Sequence, residues 1–183
     1  FFDRRYSPNA NWARIGGLGS LHGGTLGIVG LGEIGREVAL RASAFGMRTL
    51  YFQRTRLPAL DERELKVEYC AFDQMLTQSD WVCILVPGVP ATRGLFNRER
   101  LAQLKPGARL INVSRADVVD RDALVAALTS GHLGGLGQDA FYDEPGRSDD
   151  PLLKFDNVII TPRVASQPRQ NGLADTEEMM VNL

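Results

Sequence analysis

The chain has 183 residues with a formal net charge of −1, and 44% of it is hydrophobic, which is enough for one substantial core. Its 21 basic and 22 acidic residues are interspersed, so there is no electrostatic footprint for nucleic acid or an anionic lipid surface. No apolar run approaches the ~20 residues that a membrane span needs, and neither a nucleic acid nor a membrane is expected as a partner.

Residues 1–20 read as a leading segment, with Trp12 and Ile15 on a short helix face and Gly16, Gly17 and Gly19 loosening the chain behind them. A single domain is expected over residues 21–165. Thr25 opens an apolar run, Leu26–Val29, long enough for a buried strand. Gly30-Leu31-Gly32-Glu33-Ile34-Gly35 follows at once, and Ile34, Val38, Ala42 and Phe45 then recur at helical spacing, predicting a helix over Ile34–Phe45. A G-x-G-x-x-G turn between a strand and a helix lets the backbone approach a pyrophosphate, whose charge sits on the helix N-terminus. The turn alone is a weak signal; its position between strand and helix implies a dinucleotide site.

Further apolar runs occupy Thr49–Phe52, Trp81–Val86, Leu110–Val113, Leu136–Ala140 and Val158–Ile160. Helical stretches fall between several of them, at Phe72–Gln78, Arg98–Leu104 and Asp122–Thr129, the last with Asp120 placed to cap it and Gly131 to end it. Continuously apolar runs alternating with helices predict an α/β fold, a doubly wound parallel sheet covered on both faces. Gly146–Asp150 reads as a polar loop, and residues 166–183 as a helix leaving the domain. Of the two cysteines, Cys70 and Cys83, the second lies inside an apolar run and reads as a buried, inert thiol, a usage suited to a reducing cytoplasm. The chain opens on Phe1 rather than Met, as a piece of a longer protein would, so the lack of a leader carries no weight.

Ligands of such sheets bind beyond the carboxyl ends of the strands. Polar residues follow one run after another there: Gln53-Arg54-Thr55-Arg56, then Pro87-Gly88 with Thr92 further on, then Ser114-Arg115-Ala116, then Asp139 and Glu144, then Thr161-Pro162-Arg163. Any single one is as well explained as a solvated loop residue; the succession is not.

In order, these tips resemble the D-isomer-specific 2-hydroxyacid dehydrogenase family over almost the whole chain. The likeness is carried by Leu21-His22-Gly23-Gly24 through Gly30, Val86-Pro87 with Thr92-Arg93-Gly94, and Leu104-Lys105-Pro106-Gly107-Ala108. It continues through Ile111-Asn112-Val113-Ser114-Arg115, Ser130–Gly135, Gln138–Phe141 with Glu144-Pro145, and Asn157–Pro162. The resemblance implies a Rossmann-type cofactor domain of a two-domain enzyme whose substrate domain is absent from this chain. It implies hydride transfer between NAD(P)(H) and a small 2-keto or 2-hydroxy acid, and a homodimer formed through the cofactor domain near Trp12. It places Arg115 on the substrate carboxylate and keto oxygen, Glu144 as the carboxylate that orients a catalytic histidine, and Asp139 on the nicotinamide carboxamide. The cofactor itself is expected against Gly30, Gly32, Glu33, Ile34, Gly35, Gln53, Arg54, Thr55, Val86, Pro87, Thr92, Val113, Ser114 and Asp139. No metal is expected.

Two positions depart from that pattern. The family's acid/base histidine follows Thr-Pro in the last motif, where this chain carries Arg163, and the glycine after the carboxylate-binding arginine is Ala116. A guanidinium stays protonated and cannot shuttle a proton at neutral pH, although it can stabilise a developing alkoxide. His22 and His132, the two histidines present, belong to positions away from the cofactor edge. Arg163 is thus assigned to the catalytic set, with two readings open: a retuned reductase, or a dinucleotide-binding regulatory or scaffold protein that has lost turnover. At the second strand tip, the acid that NAD-specific folds use on the ribose hydroxyls is replaced by Gln53. Arg54, Thr55 and Arg56 follow it with two cations and a hydroxyl, which favours NADP(H) over NAD(H).

Overall fold

A computed structural model describes residues 19–143 and 146–165. The leading segment through residue 18, Glu144, and the exit helix expected over 166–183 lie outside the described residues. Seven strands, β1 Thr25–Val29, β2 Arg48–Phe52, β3 Val67–Tyr69, β4 Trp81–Ile84, β5 Ala108–Asn112, β6 Leu133–Gln138 and β7 Val158–Ile160, form one sheet in the order β3-β2-β1-β4-β5-β6-β7. Every neighbouring pair is parallel. The order reverses direction at β1, so the crevice between β1 and β4 is the topological switch point where such sheets take their ligands.

The connections carry helices α1 Glu33–Ala44, α2 Ala59–Leu65, α3 Phe72–Gln78, α4 Arg98–Gln103 and α5 Arg121–Thr129. Side chains alternate between the two faces of each strand, and here both faces are apolar. Val29, Leu50, Val82, Ile84 and Leu110 join α3, α4 and α5 in one core. Leu26, Ile28, Tyr51 and Cys83 point the other way, with Ala39 and Ala42 of α1 and Leu65 of α2. That two-sided burial is why the strands read as unbroken apolar runs.

Several boundaries differ from the sequence expectation, each for a local reason. The run Trp81–Val86 stops being strand at Ile84, where the ladder to β5 ends at the Ile84–Asn112 pair, so Leu85 and Val86 belong to the loop. Strand β6 starts earlier than Leu136, because its glycines are strand residues that let neighbouring backbone in. A Cβ on Gly134 would stand 2.2 Å from the Gly107 carbonyl oxygen, and one on Gly135 3.0 Å from that of Asn157. Helix α2 and strand β3 were not anticipated; Ala59–Leu65 is mostly charged, with Leu65 and Glu62 its buried residues, and β3 buries only Val67, so neither leaves an apolar run. In α1 the buried stripe is Gly35, Ala39 and Ala42, while Ile34 and Phe45 are each 59% exposed. Small residues face the sheet because α1 lies too close to it for large ones.

Other signals held. The Asp120 side chain accepts the Ala123 N–H at the start of α5, and Gly131, at φ +72°, closes the far end by donating to the Leu128 carbonyl. Asn97 caps α4 in the same way through the Arg100 N–H. Phe96 is fully buried and meets Phe72 edge-to-face at 5.5 Å between ring centres. Phe96→Ala is therefore expected to cost about 3–5 kcal/mol of stability, measured as a fall in the urea unfolding midpoint.

Candidate dinucleotide and substrate site

The glycine-rich turn has the geometry its sequence implied. Gly30 adopts φ +94°, reserved for glycine, and its N–H donates to the Phe52 carbonyl at 2.9 Å. Gly35 lies directly over it: a Cβ there would stand 2.6 Å from the Gly30 carbonyl oxygen. Gly32 is the N-cap of α1, with no side-chain cap, and a Cβ on it would meet nothing within 4 Å. The first N–H groups of α1, from Glu33 onward, have no intrahelical acceptor and no side-chain cap, the donor set that anions take at a helix start. Ile34 and Glu33 are exposed beside it. These residues fit a bound dinucleotide pyrophosphate.

At the tip of β2, the Gln53 Oε1 accepts the Leu31 N–H at 3.2 Å, and its Nε2 donates to the Thr55 carbonyl at 2.6 Å. Gln53 therefore joins the glycine turn to the next loop. Arg54 and Thr55 are exposed there. Arg56 is not free to serve as the second cation expected from the sequence, because it forms a two-pronged pair with Glu62, Nε and Nη2 each at 2.8 Å. Glu62 also accepts the Tyr51 hydroxyl at 2.7 Å, and that phenol oxygen accepts the Leu57 N–H. The Arg56 and Tyr51 hydrogen bonds hold the Glu62 carboxyl down at about 2 against the opposing pull of burial. Burial, followed by the bond to Glu62, pushes the Tyr51 phenol up to about 12.

After β4, Val86 is half-buried and Pro87 exposed. Thr92 folds this loop on itself: its hydroxyl donates to the Pro87 carbonyl at 2.6 Å and accepts the Val89 N–H at 3.1 Å. Gly88 matters for a different reason. A Cβ on it would stand 2.2 Å from the Arg115 Cγ, so the stem of Arg115 lies across the Gly88 backbone and brings the tips of β4 and β5 together. Behind Arg115, the fully buried Asn112 ties the turn: its Oδ1 accepts both the N–H and the hydroxyl of Ser114, and its Nδ2 donates to the Arg115 carbonyl. Val113 and Ser114 are half-buried, and the Arg115 guanidinium is exposed. Ala116, in place of a glycine, is buried and begins a short 3₁₀ turn, Ala116–Val118, so the extra methyl faces the core.

Asp139, after β6, is buried, and its carboxylate accepts the Thr161 hydroxyl and the N–H groups of Val164 and Ala165. Burial pushes its carboxyl up, but those three donors and the Arg163 charge outweigh it and hold the group below the usual range. A carboxylate has about four lone-pair sites, so three are committed to the loop after β7 and one remains for a ligand. Asp139 thus anchors the segment that carries Arg163, a role its sequence position did not disclose. Arg163 itself is an exposed non-glycine residue at φ +56°. Such backbone is uncommon outside glycine and collects at functional sites. Arg115 and Arg163 follow β5 and β7, two strand spacings apart or about 10 Å, with Asp139 between them. Neither histidine is near: His22 packs at Gly46 on the opposite edge, and His132 precedes β6.

Tyr51, Glu62 and Asn112 escaped the sequence reading as site-shaping residues, and Thr161, named there as a strand-tip residue, was not expected to bond Asp139. The signal available was a polar side chain at, or just past, the end of an otherwise apolar strand, which marks Asn112 and Thr161 but not Glu62.

A parallel doubly wound sheet with this turn at its switch point defines a dinucleotide-binding domain. The family model described as D-isomer specific 2-hydroxyacid dehydrogenase, NAD binding domain, matches residues 3–165, and the chain belongs to that family, which takes a nicotinamide dinucleotide. The glyoxylate reductase of Korarchaeum cryptofilum is 43% identical over 163 residues, covering 89% of this chain and 49% of that protein. Among solved structures, the D-lactate dehydrogenase of Aquifex aeolicus in complex with NAD and lactic acid superposes with a TM-score of 0.79. It is 36% identical and covers 88% of this chain and 52% of that one. A glyoxylate reductase from Paecilomyes thermophila gives a TM-score of 0.77 at 36% identity, covering 83% and 45%. The chain spans just under half the length of the first curated relatives it matches, 43% and 49%.

The turn geometry separates folding from binding. Gly32→Ala is expected to leave the thermal midpoint unchanged, since its Cβ meets nothing, and to weaken NADH at least about tenfold by intruding on the pyrophosphate. Gly35→Ala is expected to lower both, because its Cβ collides with backbone. Fluorescence titration and thermal melts distinguish the two.

Proposed function

We propose that the protein of which this chain is the cofactor domain is a 2-keto acid reductase, transferring hydride between NAD(P)(H) and a small 2-keto or 2-hydroxy acid such as glyoxylate. The observation that carries this reading is the Arg115 guanidinium, exposed at the tip of β5 with its stem fixed against Gly88 and its backbone fixed by Asn112. The nicotinamide, when bound, supplies or accepts the hydride. A planar fork with permanent charge suits Arg115 to hold the substrate carboxylate and to polarise the adjacent keto oxygen. Arg163 stabilises the alkoxide that forms as the carbonyl is reduced, and water delivers the proton. The remaining lone pair of Asp139 holds the nicotinamide carboxamide.

At the adenosine end, the absence of an acid at Gln53 and the exposure of Arg54 support NADP(H) over NAD(H). Thr55 adds a hydroxyl beside Arg54. A homodimer through the cofactor domain, with Trp12 at the contact, and a cytoplasmic setting complete the reading. The setting is supported by Cys70 and Cys83, both unbridged and buried. Among the described residues, no helix is long and apolar enough to cross a membrane. The alternative of a regulatory or scaffold protein rests on Arg163 alone and draws no support from relatives named as reductases and dehydrogenases.

Steady-state kinetics of the full-length protein on glyoxylate and pyruvate test the assignment. Arg115→Ala is expected to lower kcat/KM by at least about 10²-fold with cofactor binding intact; loss of cofactor binding as well would mean a structural role. Restoring the acid with Arg163→His is expected to raise kcat, since a positioned proton donor contributes about 10²–10⁴-fold. Absence of turnover in both the parent and that variant, with the dinucleotide still bound, would favour the regulatory reading.

A further inference from the structure

Four of the five residues that follow β2 are tied in place. Gln53 bridges Leu31 and Thr55, the Thr55 carbonyl is its acceptor, Arg56 grips Glu62 with two nitrogens, and the Leu57 N–H is held by Tyr51. Arg54 makes no hydrogen bond or ion pair to any described residue and is exposed. The loop thus contains two cations in different states, one presented and one withdrawn. Arg56 is withdrawn on its inner side: besides the two-pronged pair, its guanidinium lies 5.6 Å from the centre of the Tyr69 ring, while its side chain remains 63% exposed. Glu62, whose side chain is only 10% exposed, sits in the first turn of α2 and is shared between Arg56 and the Tyr51 hydroxyl. An exposed ion pair is readily exchanged for water, but a buried carboxylate that loses its partner is left uncompensated.

We propose that Glu62 is a positioning residue for cofactor discrimination: by holding Arg56 off the adenosine end of the site, it leaves Arg54 as the one cation of this loop offered to a ribose 2′-phosphate. It thereby sets how strongly the protein separates NADP(H) from NAD(H). The proposal rests on the reading that Arg54 faces that phosphate. Arg56 lies only three residues beyond Gln53, on a long side chain, so a charge released from Glu62 becomes available to the same phosphate. Glu62→Gln keeps the shape and the acceptor for Tyr51 while removing the charge that holds Arg56. One additional charge-assisted bond to phosphate corresponds to about a five- to tenfold gain in affinity.

The test is titration of NADPH and NADH into the intact protein, with thermal melts alongside. Glu62→Gln is expected to tighten NADPH by about five- to tenfold and to leave NADH unchanged. The double variant Glu62→Gln with Arg56→Met is expected to return the NADPH-to-NADH ratio to the parent value. Arg56→Lys, which cannot make the two-pronged contact, is expected to move the ratio toward NADPH by a second route with less risk to folding. An unchanged ratio in Glu62→Gln and Arg56→Lys, equal weakening of both cofactors, or a gain that persists in the double variant would overturn the proposal. Arg54→Ala separates the two layers. If it weakens NADPH while Glu62→Gln changes nothing, the reading of the tip stands and the role of Glu62 falls. If it leaves NADPH untouched, the reading and the proposal fall together.

Discussion

The working edge of this domain depends on how closely α1 approaches β1. With Gly35 against the Gly30 carbonyl, the first turn of the helix starts in direct contact with the end of β1, and its first N–H groups have no side-chain cap. A side chain at Gly35 would push the helix outward and carry those donors away from where a pyrophosphate sits, and one at Gly30, besides its φ of +94°, would press on the Leu85 backbone. The same intimacy explains the small-residue stripe Gly35, Ala39 and Ala42, which buries little apolar area but brings the backbone in. Bulk is supplied instead from the opposite face, where Phe72, Met75, Leu76, Leu101 and Leu124 fill the larger core.

The two edges of the sheet are built differently. At the amino ends of the strands, polar groups close on one another: Asp80 accepts the Thr25 N–H and pairs with Lys105 at 2.8 Å, and Gly134 packs on Gly107. At the carboxyl ends, polar groups fix backbone and leave heads exposed. Asn112 holds the turn under Arg115, Asp139 holds the loop under Arg163, and Gln53 holds the loop under Arg54. Each exposed cation thus stands on a buried or half-buried polar side chain that is bonded to the main chain of its loop, with the Ser114 and Thr161 hydroxyls adding to Asn112 and Asp139. That arrangement places three positive charges along one edge without relying on the flexible loops themselves for precision.

Most of this architecture was legible in the sequence because parallel strands buried on both faces leave unbroken apolar runs, and β1, β2, β4, β5 and β7 were each found from theirs. Where the signal failed, tertiary contact had overruled local pattern. Strand β6 begins in glycines that look like a loop and are strand because neighbouring backbone needs their space. Ile34 and Phe45 fit a helical period yet point outward, because α1 is pressed to the sheet by its smallest residues. In the site, the glycine turn, Gln53, Arg115 and the segment at Arg163 lie at the carboxyl edge, where strand-tip reasoning put them. The partners of those residues were not legible. Nothing in Glu62, one acid in a charged helix, discloses that it neutralises Arg56, and Asp139 shows its anchoring role only once the β7 loop has folded back on it.

The outermost strands, β3 and β7, have three residues each, the shortest of the seven. An exposed strand edge is a row of unpaired amides and carbonyls on which another chain can template itself. At three residues, that row is too short to nucleate a stable ladder, and β3 carries the Glu68 carboxylate, paired with Arg48 at 2.6 Å. A long, apolar parallel sheet of this kind carries its greatest aggregation hazard while it is still incomplete, when the central strands are unpaired. Once the two short strands have docked, each end of the sheet offers only three residues' worth of unpaired groups to a passing chain.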